Sequence, residues 1–215
     1  PDSSNNISEQ LMKLSAQQKN IPLHQKAEIN KVYYYLNKSN ADSGLSVSEK
    51  NIRSLLKSKG NDSLLAQYFS AAGLSLMRLN RQKDAMEKFF NALKTSEQAG
   101  DKLMMAKAQH NIGWAYMELN QYTEAITHFT SALQIIEKNK IPFKMAVSYA
   151  NIASCYGALN KYDSVYKYAG EGIKMAHEQN NYQTEANGWY IMGTAYTNEK
   201  KYEQALACFL KAKPI

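Results

Sequence analysis

The chain has 215 residues, 44% apolar and 21% charged, and no stretch approaches the ~18 uncharged apolar residues of a membrane helix, so it reads as a folded chain that does not insert into a bilayer. Only 4 Pro and 10 Gly occur, and long runs lack both, which excludes a strand-and-turn protein and predicts an all-α one. The formal net charge of +7 is concentrated in the first 60 residues; beyond them Lys and Arg are interleaved with Asp and Glu, unlike the one-sided basic footprint of a nucleic-acid binder.

Residues 1–6 are polar and expected to be disordered, and residues 1–21 read as a polar segment with a leading helix. Over residues 22–60 helical spacing occurs twice, in Ile29, Val32, Tyr33 and Leu36 and then in Leu45, Ile52, Leu55 and Leu56. The small residues that mark the later repeats are missing there, so this reads as a degenerate unit. From residue 61 a 40-residue period recurs over 61–100, 101–140, 141–180 and, shortened, 181–215. The chain begins at Pro1 and stops at Lys213-Pro214-Ile215 inside a helical pattern, which reads as a segment of a longer protein.

The period is visible in columns. Gly73, Gly113, Ala153 and Gly193 align, as do Leu76, Tyr116, Tyr156 and Tyr196, and Ala85, Ala125, Val165 and Ala205. So do Phe89, Phe129, Ala169 and Phe209, and Ala92, Ala132, Gly172 and Ala212. Apolar positions fall three and four apart twice within each unit, separated by breaks such as Leu79-Asn80-Arg81 and Leu119-Asn120-Gln121, where Asn suits the left-handed conformation that ends a helix. Each unit is thus a helical hairpin, with breaks expected near Asn80, Gly100, Asn120, Lys140, Asn160, Asn180 and Lys200. The small residues let the partner helix approach, and an isolated hairpin cannot bury the resulting face, so the units must stack.

Asn111-Ile112-Gly113-x-x-Tyr116 followed by Tyr122-x-x-Ala125-x-x-x-Phe129-x-x-Ala132 resembles the tetratricopeptide repeat signature. It departs from the commonest form in its longer unit, against about 34 residues, and in having no Pro closing the second helix; this is similar to the longer-repeat branch of signalling adaptors and peptide-sensing regulators. The resemblance implies a right-handed α-α superhelix of antiparallel hairpins whose first helices line a concave binding surface.

No G-x-S-x-G, H-E-x-x-H, G-x-x-x-x-G-K-[ST] or G-x-G-x-x-G occurs, so neither catalysis, a metal site nor a cofactor is expected. Cys155 and Cys208 form no C-x-x-C pair and read as small core residues. His24, His110, His128 and His177 lie in different helices without ligand spacing, and His128 is expected to be exposed. The sequons at Asn6, Asn37 and Asn61 are the triplets that an Asn- and Ser-rich composition produces.

The resemblance carries the groove positions onto Gln67, Ser70, Leu74, Met77 and Arg78, then Lys107, His110, Trp114, Met117 and Glu118. The third unit supplies Val147, Ala150, Ser154, Gly157 and Ala158, and the fourth Asn187, Tyr190, Thr194, Thr197 and Asn198. Trp114 stands out, because a bulky aromatic on the face opposite the hairpin seam is what a binding anchor is made of; the other reading packs it on the adjacent repeat. Met77 and Met117 either add a soft surface for variable side chains or pack ordinarily. The small residues of the third unit are expected to set its wall back into a local pocket. Asn111 and Asn151 either hydrogen-bond a peptide backbone, as in the peptide-sensing relatives, or bond across to a neighbouring repeat. Only Lys107 and Arg78 resemble the Lys- and Asn-rich clamp that grips acidic chaperone termini, which argues against that partner class.

The expected function is therefore a non-catalytic module that binds a protein or peptide, as the sensing or partner-recruiting segment of a larger signalling or regulatory protein. The rival is a free-standing scaffold that stacks or homodimerises through exposed repeat ends. RNA reading by a repeat code needs a recurrent base-reading pair, and the column Leu74, Trp114, Ser154, Thr194 does not recur. Richness in Asn, Tyr and Lys slightly favours the extracytoplasmic part of a bacterial regulator.

Overall fold

A computed structural model describes Gln10, residues 12–15 and 17, and residues 21–58, 62–141 and 145–212. The polar stretch 1–6, Asn6, Asn61 and the closing Lys213-Pro214-Ile215 lie outside the described residues. Helices follow one another in pairs: α1 (Ile21–Asn37) and α2 (Ala41–Leu55), α3 (Asp62–Arg78) and α4 (Gln82–Gln98), α5 (Lys102–Glu118) and α6 (Tyr122–Lys138), α7 (Ala146–Ala158) and α8 (Tyr162–Glu178), α9 (Tyr182–Asn198) and α10 (Tyr202–Ala212). No strand occurs among the described residues.

From Asn80 onward the helices end at a regular interval, each on one residue in the left-handed region: Asn80, Gly100, Asn120, Lys140, Asn160, Asn180 and Lys200, with φ between 48 and 68°. The following N–H then reaches back to a carbonyl of the last turn, as from Arg81 to Leu76, Gln121 to Tyr116 and Lys161 to Tyr156, each at 2.9 Å. This satisfies carbonyls that a helix end otherwise leaves without donors. The break is tight enough to return the chain as a hairpin.

Contacts divide the chain into two compact units, residues 1–111 and 112–215, with the boundary inside α5. In the first, Val32, Leu36, Leu55, Tyr68 and Ala72 share one buried cluster. The Tyr68 hydroxyl donates to the Gln25 carbonyl, and burial, with the Glu28 carboxylate, pushes its phenol far up. Glu28 itself accepts from Asn51 Nδ2 at 2.9 Å and Lys50 Nζ at 3.3 Å, so a buried carboxylate is compensated, as its desolvation requires. Of the apolar residues whose spacing marks the two helices of the degenerate unit, Ile29, Val32, Leu36, Ile52 and Leu55 are buried, whereas Tyr33 is 39% exposed and Leu56, which follows the last turn of α2, is 63% exposed. The small columns of the later repeats are occupied here by Tyr33, Leu45 and Ile52; Gly44, on the second helix of the pair, instead gives a close approach to the next pair, where a Cβ would meet Ser75 Oγ at 3.0 Å.

In the second unit the rings of Phe129 and Phe209 lie against backbone. A Cβ on Gly113 would stand 2.9 Å from Phe129 Cδ1, and one on Gly193 2.7 Å from Phe209 Cε1. Phe129 is fully buried, which stabilises the hairpin by roughly 1.5–3 kcal/mol. Cys155 and Cys208 are buried and free; burial pushes the Cys155 thiol up to about 12, which leaves it inert. Between α8 and α9, Tyr166 stacks on Tyr196 with centroids 4.4 Å apart and donates its hydroxyl to Glu199.

Candidate functional site

Within the second unit the first helices of two successive hairpins, α7 and α9, pack side by side. A pocket of about 350 Å³ opens between them, lined by Ser154, Gly157 and Ala158 on α7 and by Tyr190, Ile191, Thr194, Ala195 and Asn198 on α9. The α7 wall is set back because nothing on it is larger than serine. Every lining side chain is uncharged. Thr194 turns its hydroxyl to the Tyr190 carbonyl at 3.0 Å, and Tyr190, 59% exposed, leans on Phe209 with centroids 5.7 Å apart. One turn before Ser154 on the same helix lies Asn151, half-buried. Among the described residues, neither its amide nor that of Asn198 hydrogen-bonds a protein group.

Of the two readings of Trp114, packing on the adjacent repeat is the one observed for part of the ring. Its indole is half-buried against the cluster of Ala125, Phe129, Ile152 and Cys155, with Met117 alongside, and its Nε1 donates to Glu118 Oε1 at 3.0 Å. Packing thus takes one side of the ring, because its helix position turns it toward a cluster that includes residues of α7. Its half-exposure leaves the remaining surface for contact.

In the first unit, Met77 is 5% exposed and is a packing residue, since its helix face is covered. Arg78 is exposed, and Lys107 and His110 are half-buried. Burial pushes the His110 imidazole down to about 4, so it is neutral at physiological pH. The Asn111 amide donates to Ser70 Oγ at 2.9 Å, tying α5 to α3; of the two readings of that asparagine, the bond between helices is the one observed. His128 is half-buried, not exposed: it stacks on Tyr116 with centroids 5.2 Å apart and planes 11° from parallel, and burial lowers its pKa.

The structure brings Ser154, Tyr190 and Thr194 to one pocket, with Asn151 a turn away. Sequence reasoning missed Ile191 and Ala195, which lie two residues either side of the Gly193 column and pack toward Ala153, Val165 and Ala169 of the preceding hairpin. The set-back wall of α7 is the signal that uncovers them. Among the described residues no three His, Cys, Asp or Glu side chains cluster, and no helix is long and apolar enough to cross a membrane. What the site offers is a neutral recess for a side chain and amides able to donate to and accept from a main chain.

Tetratricopeptide repeat family models match residues 104–176 and 186–213. Those two stretches are tetratricopeptide repeats. The fold of the chain is similar to the crystal structure of BtubC (BKLC) from P. vanneervenii, with TM-score 0.81 at 14% identity over 98% of this chain and 89% of that one. It is also similar to the Signal Transduction ATPase with Numerous Domains (STAND) protein PH0952 from Pyrococcus horikoshii, with TM-score 0.75 at 14% identity over 97% of this chain and 35% of that one. A third similar structure is the apo form of RapI, with TM-score 0.69 at 13% identity over 97% and 96% of the two chains. No curated protein matches the sequence. As a tetratricopeptide array, the chain is a protein-binding repeat module.

Proposed function

We propose that the chain holds an extended protein or peptide segment on the first-helix face of residues 112–215, as the sensing or partner-recruiting part of a larger signalling or regulatory protein. The observation that carries this reading is the neutral pocket between α7 and α9, lined in part by the exposed ring of Tyr190, with Asn151 one turn before Ser154 on the same helix. Asn151, Ser154, Tyr190 and Thr194 contact the segment, and Trp114, Met117 and Glu118 extend the surface along α5. The similar STAND protein is described as carrying a tetratricopeptide repeat sensor, which supports the sensing role.

A second reading has an observation of its own. Tyr202, Leu206 and Leu210 of α10 are 60–65% exposed and fall four apart, forming one apolar stripe. That stripe supports assembly through a repeat end, including homodimerisation.

One experiment separates the two. Heptapeptides selected from a random phage-displayed library on the whole chain are retested against Tyr190→Ala and Leu206→Ala. Groove binding predicts a loss of about 2 kcal/mol with Tyr190→Ala and none with Leu206→Ala; assembly through the repeat end predicts the reverse, together with a monomer–dimer shift in Leu206→Ala.

A further inference from the structure

Resting on the groove reading, we propose that the pocket between α7 and α9 is a specificity site for one large uncharged side chain, and that Asn151 and Asn198 hold the main chain on either side of it. The volume of about 350 Å³ lies at the low end of ligand sites, ~300–1,000 Å³. It has room for one phenylalanine- or leucine-sized group together with the main chain that carries it.

The lining decides the chemistry of that group. Ala158, Ile191 and Ala195 give apolar walls, Thr194 has its hydroxyl committed to the Tyr190 carbonyl at 3.0 Å, and no charged side chain faces the space. A carboxylate or ammonium entering it would shed water without meeting a counter-ion, which is strongly unfavourable. An apolar group would shed its hydration shell favourably.

The amides decide the backbone. Neither the Asn151 nor the Asn198 side chain bonds a protein group among the described residues, and a primary amide can pair with both the N–H and the C=O of a peptide unit. Asn198 stands in the column of Ala158, seven residues beyond Asn151. The two are therefore offset by about 10 Å along the helix axes and by the ~8–10 Å between packed helices. That span matches about four residues of extended chain at ~3.3 Å each. A segment held at both ends would present one side chain to the recess between them.

The test uses the ¹⁵N-labelled chain and blocked pentapeptides Ala-Ala-Xaa-Ala-Ala with Xaa as Phe, Leu, Asp or Lys. The Phe and Leu peptides should shift the amide resonances of Ser154, Gly157 and Thr194 and bind at least tenfold more tightly than the Asp and Lys peptides. Ser154→Phe should remove that preference by filling the recess; Thr194→Phe, at an exposed position, serves the same purpose should the first variant fold poorly. Asn151→Ala and Asn198→Ala should weaken all four peptides several-fold without changing their order. Asp or Lys peptides binding as tightly as Phe would overturn the proposal. Shifts confined to other residues of the first-helix face would also overturn it while leaving the groove reading intact, whereas no shift anywhere with any peptide would sink both.

Discussion

A Cβ atom on Gly73 would stand 2.3 Å from Cε1 of Phe89. The hairpin closes because one residue has no side chain and the residue 16 positions on fills the space. Gly113 with Phe129 and Gly193 with Phe209 repeat the relationship. In the third hairpin both partners change together, to Ala153 and Ala169, which are both fully buried: a methyl on the first helix is admitted only where the ring on the second is gone.

Gly73→Ala and Gly113→Leu should therefore each cost about 1–3 kcal/mol or more by overpacking. Gly157→Ala, whose Cβ would lie 3.8 Å from Val165, should be neutral or stabilising, since alanine is the better helix former by about 0.5–1 kcal/mol. Ala169→Phe should destabilise alone and be relieved by Ala153→Gly. Urea denaturation of the six proteins, wild type included, checks this; equal midpoints for Gly73→Ala and Gly157→Ala would count against the seam.

Trp114→Ala should lower stability by about 2 kcal/mol, less than the loss of a fully buried ring, because half of the indole packs on Phe129 and its neighbours. Trp114→Phe should recover most of that loss. If a selected peptide also loses affinity in Trp114→Phe, whose fold is kept, the exposed edge of the indole contacts it. An unchanged melting temperature for Trp114→Ala would mean that the ring does not pack as described.

His110 makes stability depend on acid. Its folded pKa is lowered to about 4 from the ordinary 6.5, so between those values the unfolded chain takes up a proton that the folded chain refuses. The contribution is absent above about pH 7 and destabilises increasingly as pH falls from 6.5 toward 4. Between pH 7 and pH 4.5, wild type should lose about 2 kcal/mol more than His110→Gln. Identical losses would mean that the imidazole is not held neutral.

Lys200 and Lys140 end helices with φ of 63 and 48°, a conformation that costs an ordinary side chain about 1 kcal/mol. Lys200→Gly should stabilise by about 0.5 kcal/mol after the greater freedom of glycine in the unfolded chain is subtracted. Asn120→Gly should gain less, because asparagine tolerates the left-handed region. Scanning calorimetry of the two variants beside wild type ranks them, and a larger gain for Asn120→Gly than for Lys200→Gly would contradict this.

The hairpins were legible because spacing alone carries them: Asn80, Asn120 and Asn160 recur at the breaks, and the glycine and phenylalanine columns keep step with them. The recess beside Ser154 was legible too, since a run of small residues on one helix face leaves space whatever the details. Helix periodicity gives the direction of a side chain but not the distance of the neighbouring helix. Met77 therefore looked available and is buried, His128 looked exposed and stacks on Tyr116, and Asn111 could not be assigned between a ligand and Ser70. Ile191 and Ala195 were missed for the same reason: they line a surface only because the facing helix is thin.

Hydrogen–deuterium exchange on the whole chain, with and without a selected heptapeptide, tests the central claim most directly. Binding on the first-helix face predicts slowed exchange in residues 146–158 and 182–198, lost in Ser154→Phe, with α10 unchanged. Protection confined to residues 202–212 would contradict it.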